Sequence, residues 1–98
     1  MREYELTYIV HPQTTPEGLE TLNGEVKTLV ESTGGIVREV KNWGLRTLAY
    51  SIKRLREGHY VSLQLGLEPT GVRELERELK IKEQIIRYLL VSSGDDQT

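Results

Sequence analysis

The chain has 98 residues, 29% of them charged and 37% hydrophobic, with 9 Gly, 3 Pro and no Cys. At that length one domain with one modest core is expected, since domains usually run to about 100–150 residues. The lack of Cys excludes a disulfide scaffold, a thiol nucleophile and a Cys-ligated metal site, and no apolar run approaches the ~20 residues of a membrane helix. Met1-Arg2-Glu3 leads straight into strand-like sequence, with no signal or transit peptide, so a soluble cytoplasmic domain is expected.

The predicted elements follow in chain order. Tyr4, Leu6, Tyr8 and Val10 alternate with Glu5, Thr7 and Ile9, the period of a half-buried strand. His11-Pro12-Gln13 breaks that pattern. A helix start follows, capped either by Thr15 with Pro16 at the first position or by Thr14 with Glu17. Leu19, Leu22, Val26, Leu29 and Val30 form its apolar stripe, and Gly34-Gly35 ends it where a left-handed residue is wanted.

From Ile36 to Leu67 the pattern is a long β-hairpin, with Gly44 inviting a bulge and Lys53 to Gly58 supplying a polar turn. Pro69-Thr70-Gly71 interrupts, Val72, Leu75 and Leu79 mark a short helix, and Ile85 to Val91 makes a final strand. The order strand, helix, strand, strand, helix, strand predicts an α+β, ferredoxin-like split βαβ sandwich over residues 1–92. Its four-stranded antiparallel sheet carries both helices on one face, and residues 93–98 are expected as a short flexible tail. The other face stays open, with Glu5, Thr7, Ile9, Tyr60, Ser62, Gln64, Arg87, Leu89 and Val91 on it.

The net charge of −2 conceals an uneven distribution. Residues 1–35 carry six acidic and two basic side chains, whereas Arg38, Lys41, Arg46, Lys53, Arg54 and Arg56 face Glu39 alone over 38–56. An acidic body argues against a general nucleic-acid coat. A concentrated basic stretch fits either a directed contact with a polyanion or a solvated strand edge blunted by charge.

Enzymatic patterns are thin. His11 and His59 lie in different segments with no companion at metal-ligand spacing, and no H-E-x-x-H, G-x-S-x-G or P-loop pattern occurs. Acidic residues such as Glu74, Glu76 and Glu78 alternate with Arg73, Arg77 and Lys80 as a solvated helix face. No enzyme, metal, cofactor or small-molecule substrate is expected.

Two routes to nucleic acid remain. An autonomous RNA-recognition-motif reader of single strands needs aromatic platforms on the central strands. Against that signature Arg56-Glu57-Gly58-His59-Tyr60-Val61-Ser62-Leu63 matches at Arg56, Tyr60 and Val61, and lacks the glycine and two aromatics. The other route is a composite surface on Trp43-Gly44-Leu45-Arg46-Thr47-Leu48-Ala49-Tyr50-Ser51-Ile52-Lys53. There Trp43, Leu45, Leu48 and Tyr50 dock a protein while the cations reach phosphates.

That run, followed by Gly58-His59-Tyr60, closely resembles the bacterial small-subunit ribosomal protein S-six family. Met1-Arg2-Glu3-Tyr4-Glu5, His11-Pro12, Arg77-Glu78-Leu79-Lys80-Ile81 and Ile86-Arg87 match it too. The resemblance implies a non-enzymatic structural protein of the cytoplasmic ribosome, with the ferredoxin-like fold. It implies pairing with ribosomal protein S-eighteen and binding of the pair to the central domain of small-subunit ribosomal RNA. Carried onto this chain, the resemblance matches basic positions at Arg2, Arg46 and Arg87, and the partner-docking strand at Leu48, Ala49 and Tyr50. Together with the composite surface, the expected RNA contacts are Arg2, Arg46, Lys53, Arg54 and Arg87, and the expected partner contacts Trp43, Leu45, Leu48, Tyr50 and Tyr60. Thr47 stands where the family often has a second basic residue, and Ser51 where it often has Pro.

Overall fold

The computed structural model describes residues 1–93. Its elements are β1 (Arg2–Val10), α1 (Pro16–Ser32), β2 (Ile36–Ile52), β3 (Leu55–Leu67), α2 (Pro69–Lys80) and β4 (Ile85–Ser92). The sheet runs β2-β3-β1-β4 and every neighbouring pair is antiparallel, the expected ferredoxin-like arrangement. From residue 94 onward the expected tail lies outside the described residues.

The alternation in β1 and β3 decides which face is buried. Tyr4, Leu6 and Tyr8 stand opposite Leu65, Leu63 and Val61, and this face meets Leu22, Val26 and Val30 of α1 and Leu75 and Leu79 of α2. Tyr8 is fully buried, so its hydroxyl needs a partner; it donates to Asn23 Oδ1 of α1, and Asn23 Nδ2 donates to Asn42 Oδ1 of β2 at 3.0 Å. Burial also pushes the Tyr8 hydroxyl pKa well above the usual phenol value.

Thr15 is the cap of α1, its Oγ1 accepting from Gly18 N at 3.0 Å, with Pro16 at the first helical position. Gly34 takes the left-handed conformation at φ +89° just past the helix end. Pro69-Thr70-Gly71 does not precede α2 but forms its first turn, where proline's missing N–H removes no intrahelical bond.

The β2–β3 hairpin differs from expectation at its tip. The reversal occupies two residues, Lys53 (φ 54°) and Arg54 (φ 68°), closed by Ile52 opposite Leu55. Both central residues are left-handed, as in the mirror-image turns whose twist matches a hairpin. Gly58 is therefore not a turn glycine. It lies in β3 opposite Arg46, where a Cβ would run into Ile9 Cγ2 and come within 3.0 Å of Val10 O.

The face away from the helices is also less open than expected. Leu48, Ile9 and Ile86 are each less than a tenth exposed and form a second apolar cluster, with Ile52, Leu55 and Tyr60 against it. Ile9 belongs to β1 and Ile86 to β4, so the distal part of the hairpin folds across that end of the sheet. Fully burying three such side chains stabilises by about 1.5–3 kcal/mol each, before the entropy of ordering the arm is deducted.

Candidate nucleic-acid and partner interface

The edge strand β2 carries the basic stretch, and a bulge sorts its side chains. Lys41 pairs with Ser62, Asn42 with Val61, and then Gly44 with Tyr60, leaving Trp43 as the extra residue. Gly44 absorbs the distortion at φ +87°, which a side chain would resist. Asn42 points to α1, and Trp43 turns to the open face, where its Nε1–H donates to Ser62 Oγ at 2.9 Å.

Two cations flank the indole. Lys41 Nζ lies 5.8 Å and Arg46 Cζ 5.9 Å from the ring centroid, within cation–π range. Arg46 Nε also donates to the Trp43 carbonyl oxygen at 3.0 Å, which fixes the guanidinium beside the ring.

Farther out, Leu48, Tyr50 and Ile52 lean toward the sheet, and Arg87 Cζ of β4 lies 5.7 Å from the Tyr50 ring centroid. Tyr50 keeps 61% of its surface exposed, so a charge and an aromatic face reach solvent together there. A shallow concavity lined by Thr47 to Ser51 and Arg56 lies along this arm. Lys53 and Arg54 project at its tip.

The sequence-predicted site residues thus fall into three groups. Arg46, Lys53, Arg54 and Arg87 collect on the arm or the strand beneath it. Trp43, Leu45 and Tyr50 are exposed, whereas Leu48 is buried and Tyr60 half-buried against the same cluster, beneath the surface rather than on it. Arg2 stands apart. It opens β1 opposite Leu67, at the end of the sheet away from the arm, about 25 Å along the strand from Val10.

Sequence reasoning missed two features. Arg38 does not add to the basic surface, because it grips Glu3 with Nε–Oε1 at 2.7 Å and Nη2–Oε2 at 2.8 Å. That bridge spans β3 over Gly66, where a Cβ would stand 2.9 Å from the Arg38 guanidinium. Hydrogen bonding to Glu3 raises the already high Arg38 pKa. Lys41 is the second addition; its spacing from Trp43 is visible in the sequence, but only the bulge shows that both share a face.

The histidines hold loops. His11 Nδ1 accepts from Gln13 N at 3.1 Å, and His59 Nε2 lies 3.1 Å from Pro12 O. A hollow between the loops after β1 and α2 is lined by His11, Gln13, Thr14 and Ile81 to Gln84, away from the basic arm. Among the described residues no helix is long and apolar enough to cross a membrane.

A family profile described as Ribosomal protein S6 matches residues 3–92. The chain belongs to the ribosomal protein S6 family. It is 38% identical over 95 residues to the small ribosomal subunit protein bS6 of Desulforamulus reducens, covering 97% of this chain and all of that one. It is 36% identical to the bS6 protein of Carboxydothermus hydrogenoformans, covering 93% and 95% of the two chains. The crystal structure of 30S ribosomal protein S6 from Thermotoga maritima superposes with a TM-score of 0.91 at 30% identity, over 98% of this chain and 91% of that one. Membership in the S6 family makes the chain a ribosomal protein of the small subunit, a structural constituent of a ribonucleoprotein particle.

Proposed function

We propose that this S6 protein pairs with ribosomal protein S-eighteen and that the pair binds the central domain of small-subunit ribosomal RNA as part of assembly. The supporting observation is the separation of charge. The body is net acidic, while among the described residues Lys41, Arg46, Lys53, Arg54 and Arg87 form no ion pair with a carboxylate. Unpaired cations on one arm suit phosphates, and a chain presenting so few of them binds RNA weakly by itself. A basic partner on the β2 edge supplies the remaining charge and covers Leu45 and Tyr50, with Leu48 and Tyr60 supporting that surface from below.

The arm cations are the RNA contacts in this reading, with Arg2 as an outlying one. Catalysis has no part in it. An autonomous single-strand reader is the weaker alternative, because the central strands offer Glu5, Thr7 and Ile9 on β1 and a half-buried Tyr60 on β3. The test is binding of a central-domain ribosomal RNA fragment with and without S-eighteen. Tight binding only in the pair is expected; equally tight binding by the chain alone refutes the paired reading.

A further inference from the structure

Trp43 combines features that neither a core residue nor a plain apolar docking residue needs. Its polar atom is satisfied inward by Ser62, which is only 6% exposed, so the ring is pinned in one orientation. The indole nevertheless keeps 48% of its surface in solvent. Lys41 Nζ and Arg46 Cζ stand 5.8 and 5.9 Å from its centroid, near the outer limit of the ~6 Å cation–π range.

Covering this site with an apolar protein surface would bury two positive charges with no carboxylate to meet them, which is costly. A nucleotide matches both parts. Its base offers a flat face to the indole and its phosphate neutralises the cations. We propose that Trp43, Lys41 and Arg46 form a seat for one unpaired RNA nucleotide, the base stacking on the indole and the adjoining phosphate held by the two cations. The proposal rests on the RNA-binding reading above, and it moves Trp43 from the protein-docking surface to the RNA side. Gly44 and Ser62 are positioning residues, one making the bulge and the other orienting the ring.

Trp43 is the chain's only tryptophan, so its fluorescence reports this site alone. At low salt the protein is titrated with a short single-stranded RNA of mixed sequence and with an abasic oligomer of the same length. Binding of each is followed separately by the anisotropy of a labelled strand. The base-bearing strand is expected to quench Trp43 and the abasic one not. Trp43→Leu weakens binding of the base-bearing strand about tenfold, whereas Trp43→Phe stays within about threefold, since phenyl still stacks. RNA binding without quenching, and unchanged in Trp43→Leu, overturns the seat and leaves the RNA-binding reading intact. Quenching by S-eighteen but not by RNA returns Trp43 to the protein interface and also overturns it. Failure of every RNA to bind, to this chain or to the pair, removes both readings.

Discussion

Arg87 on β4 and Tyr50 on β2 belong to opposite edges of the sheet, yet the guanidinium lies 5.7 Å from the tyrosine ring centroid. Two strands separate them within the sheet, so the contact exists only because the hairpin arm crosses the open face. Leu48 anchors that crossing between Ile9 and Ile86. The arm is therefore a folded part of the surface, with Leu48 buried against the sheet and Tyr50 on the same face, still exposed, beside Arg87.

Leu48→Ala removes the anchor. It should destabilise the protein by about 2–3 kcal/mol in denaturant unfolding and loosen the arm. A change below about half a kcal/mol would mean that the arm is not packed on the sheet.

Tyr50→Asp tests the solvent-exposed part of the same face. A carboxylate there can pair with Arg87, so stability should change by less than about 1 kcal/mol. Affinity for S-eighteen should fall about tenfold or more, because a charge enters an apolar contact. An unchanged affinity would place the docking surface elsewhere.

The Lys53-Arg54 turn sets conformation against charge. Both residues occupy the left-handed region, where Asn-Gly sits far more easily. Replacing them by Asn-Gly should stabilise the fold by about 1–2 kcal/mol while weakening RNA binding by the S-six–S-eighteen pair. Gain of stability with no loss of binding would show that the tip cations do not touch RNA.

Gly58→Ala is expected to cost about 2 kcal/mol or more, because the new methyl meets Ile9 and the Val10 carbonyl across the strand pair. Thermal unfolding would show it. A neutral result would mean that β1 and β3 separate there at little cost.

The pH dependence of stability follows from Tyr8, whose buried hydroxyl has a raised pKa in the folded chain. In the unfolded chain it ionises near ~10, so its contribution is complete below that pH. Above it the unfolded state loses the proton first, and stability falls by up to ~1.4 kcal/mol per pH unit from this group. Tyr8→Phe should lower stability near neutrality by about 1 kcal/mol through loss of the bond to Asn23, and flatten the alkaline decline. Urea unfolding across the alkaline range checks both effects.

Much of the fold was legible because its signals are local. Alternation in Tyr4–Val10 and Val61–Leu67, the Thr15-Pro16 start and the Gly34 stop each depend on a few neighbouring residues. The expected turn, Lys53 to Gly58, contains the observed Lys53-Arg54 reversal but runs too long, because Gly58 looks like a turn residue although its role is close approach to Ile9 and Val10. The arm's course, the Glu3–Arg38 bridge and the Trp43 site depend on register between distant strands. No spacing within one segment encodes them. The basic stretch was visible as composition, but which cations remain unpaired emerged only when Arg38 proved to be bound to Glu3.

The most direct measurement is the salt dependence of ribosomal RNA binding by the S-six–S-eighteen pair, comparing wild type with the Arg46→Gln, Lys53→Gln double variant. Each lost phosphate contact should lower the slope of log affinity against log salt by about 0.7–0.9, with unfolding midpoints little changed. A shallower slope in the folded variant is the predicted result. An unchanged slope would place the RNA surface away from the arm and contradict it.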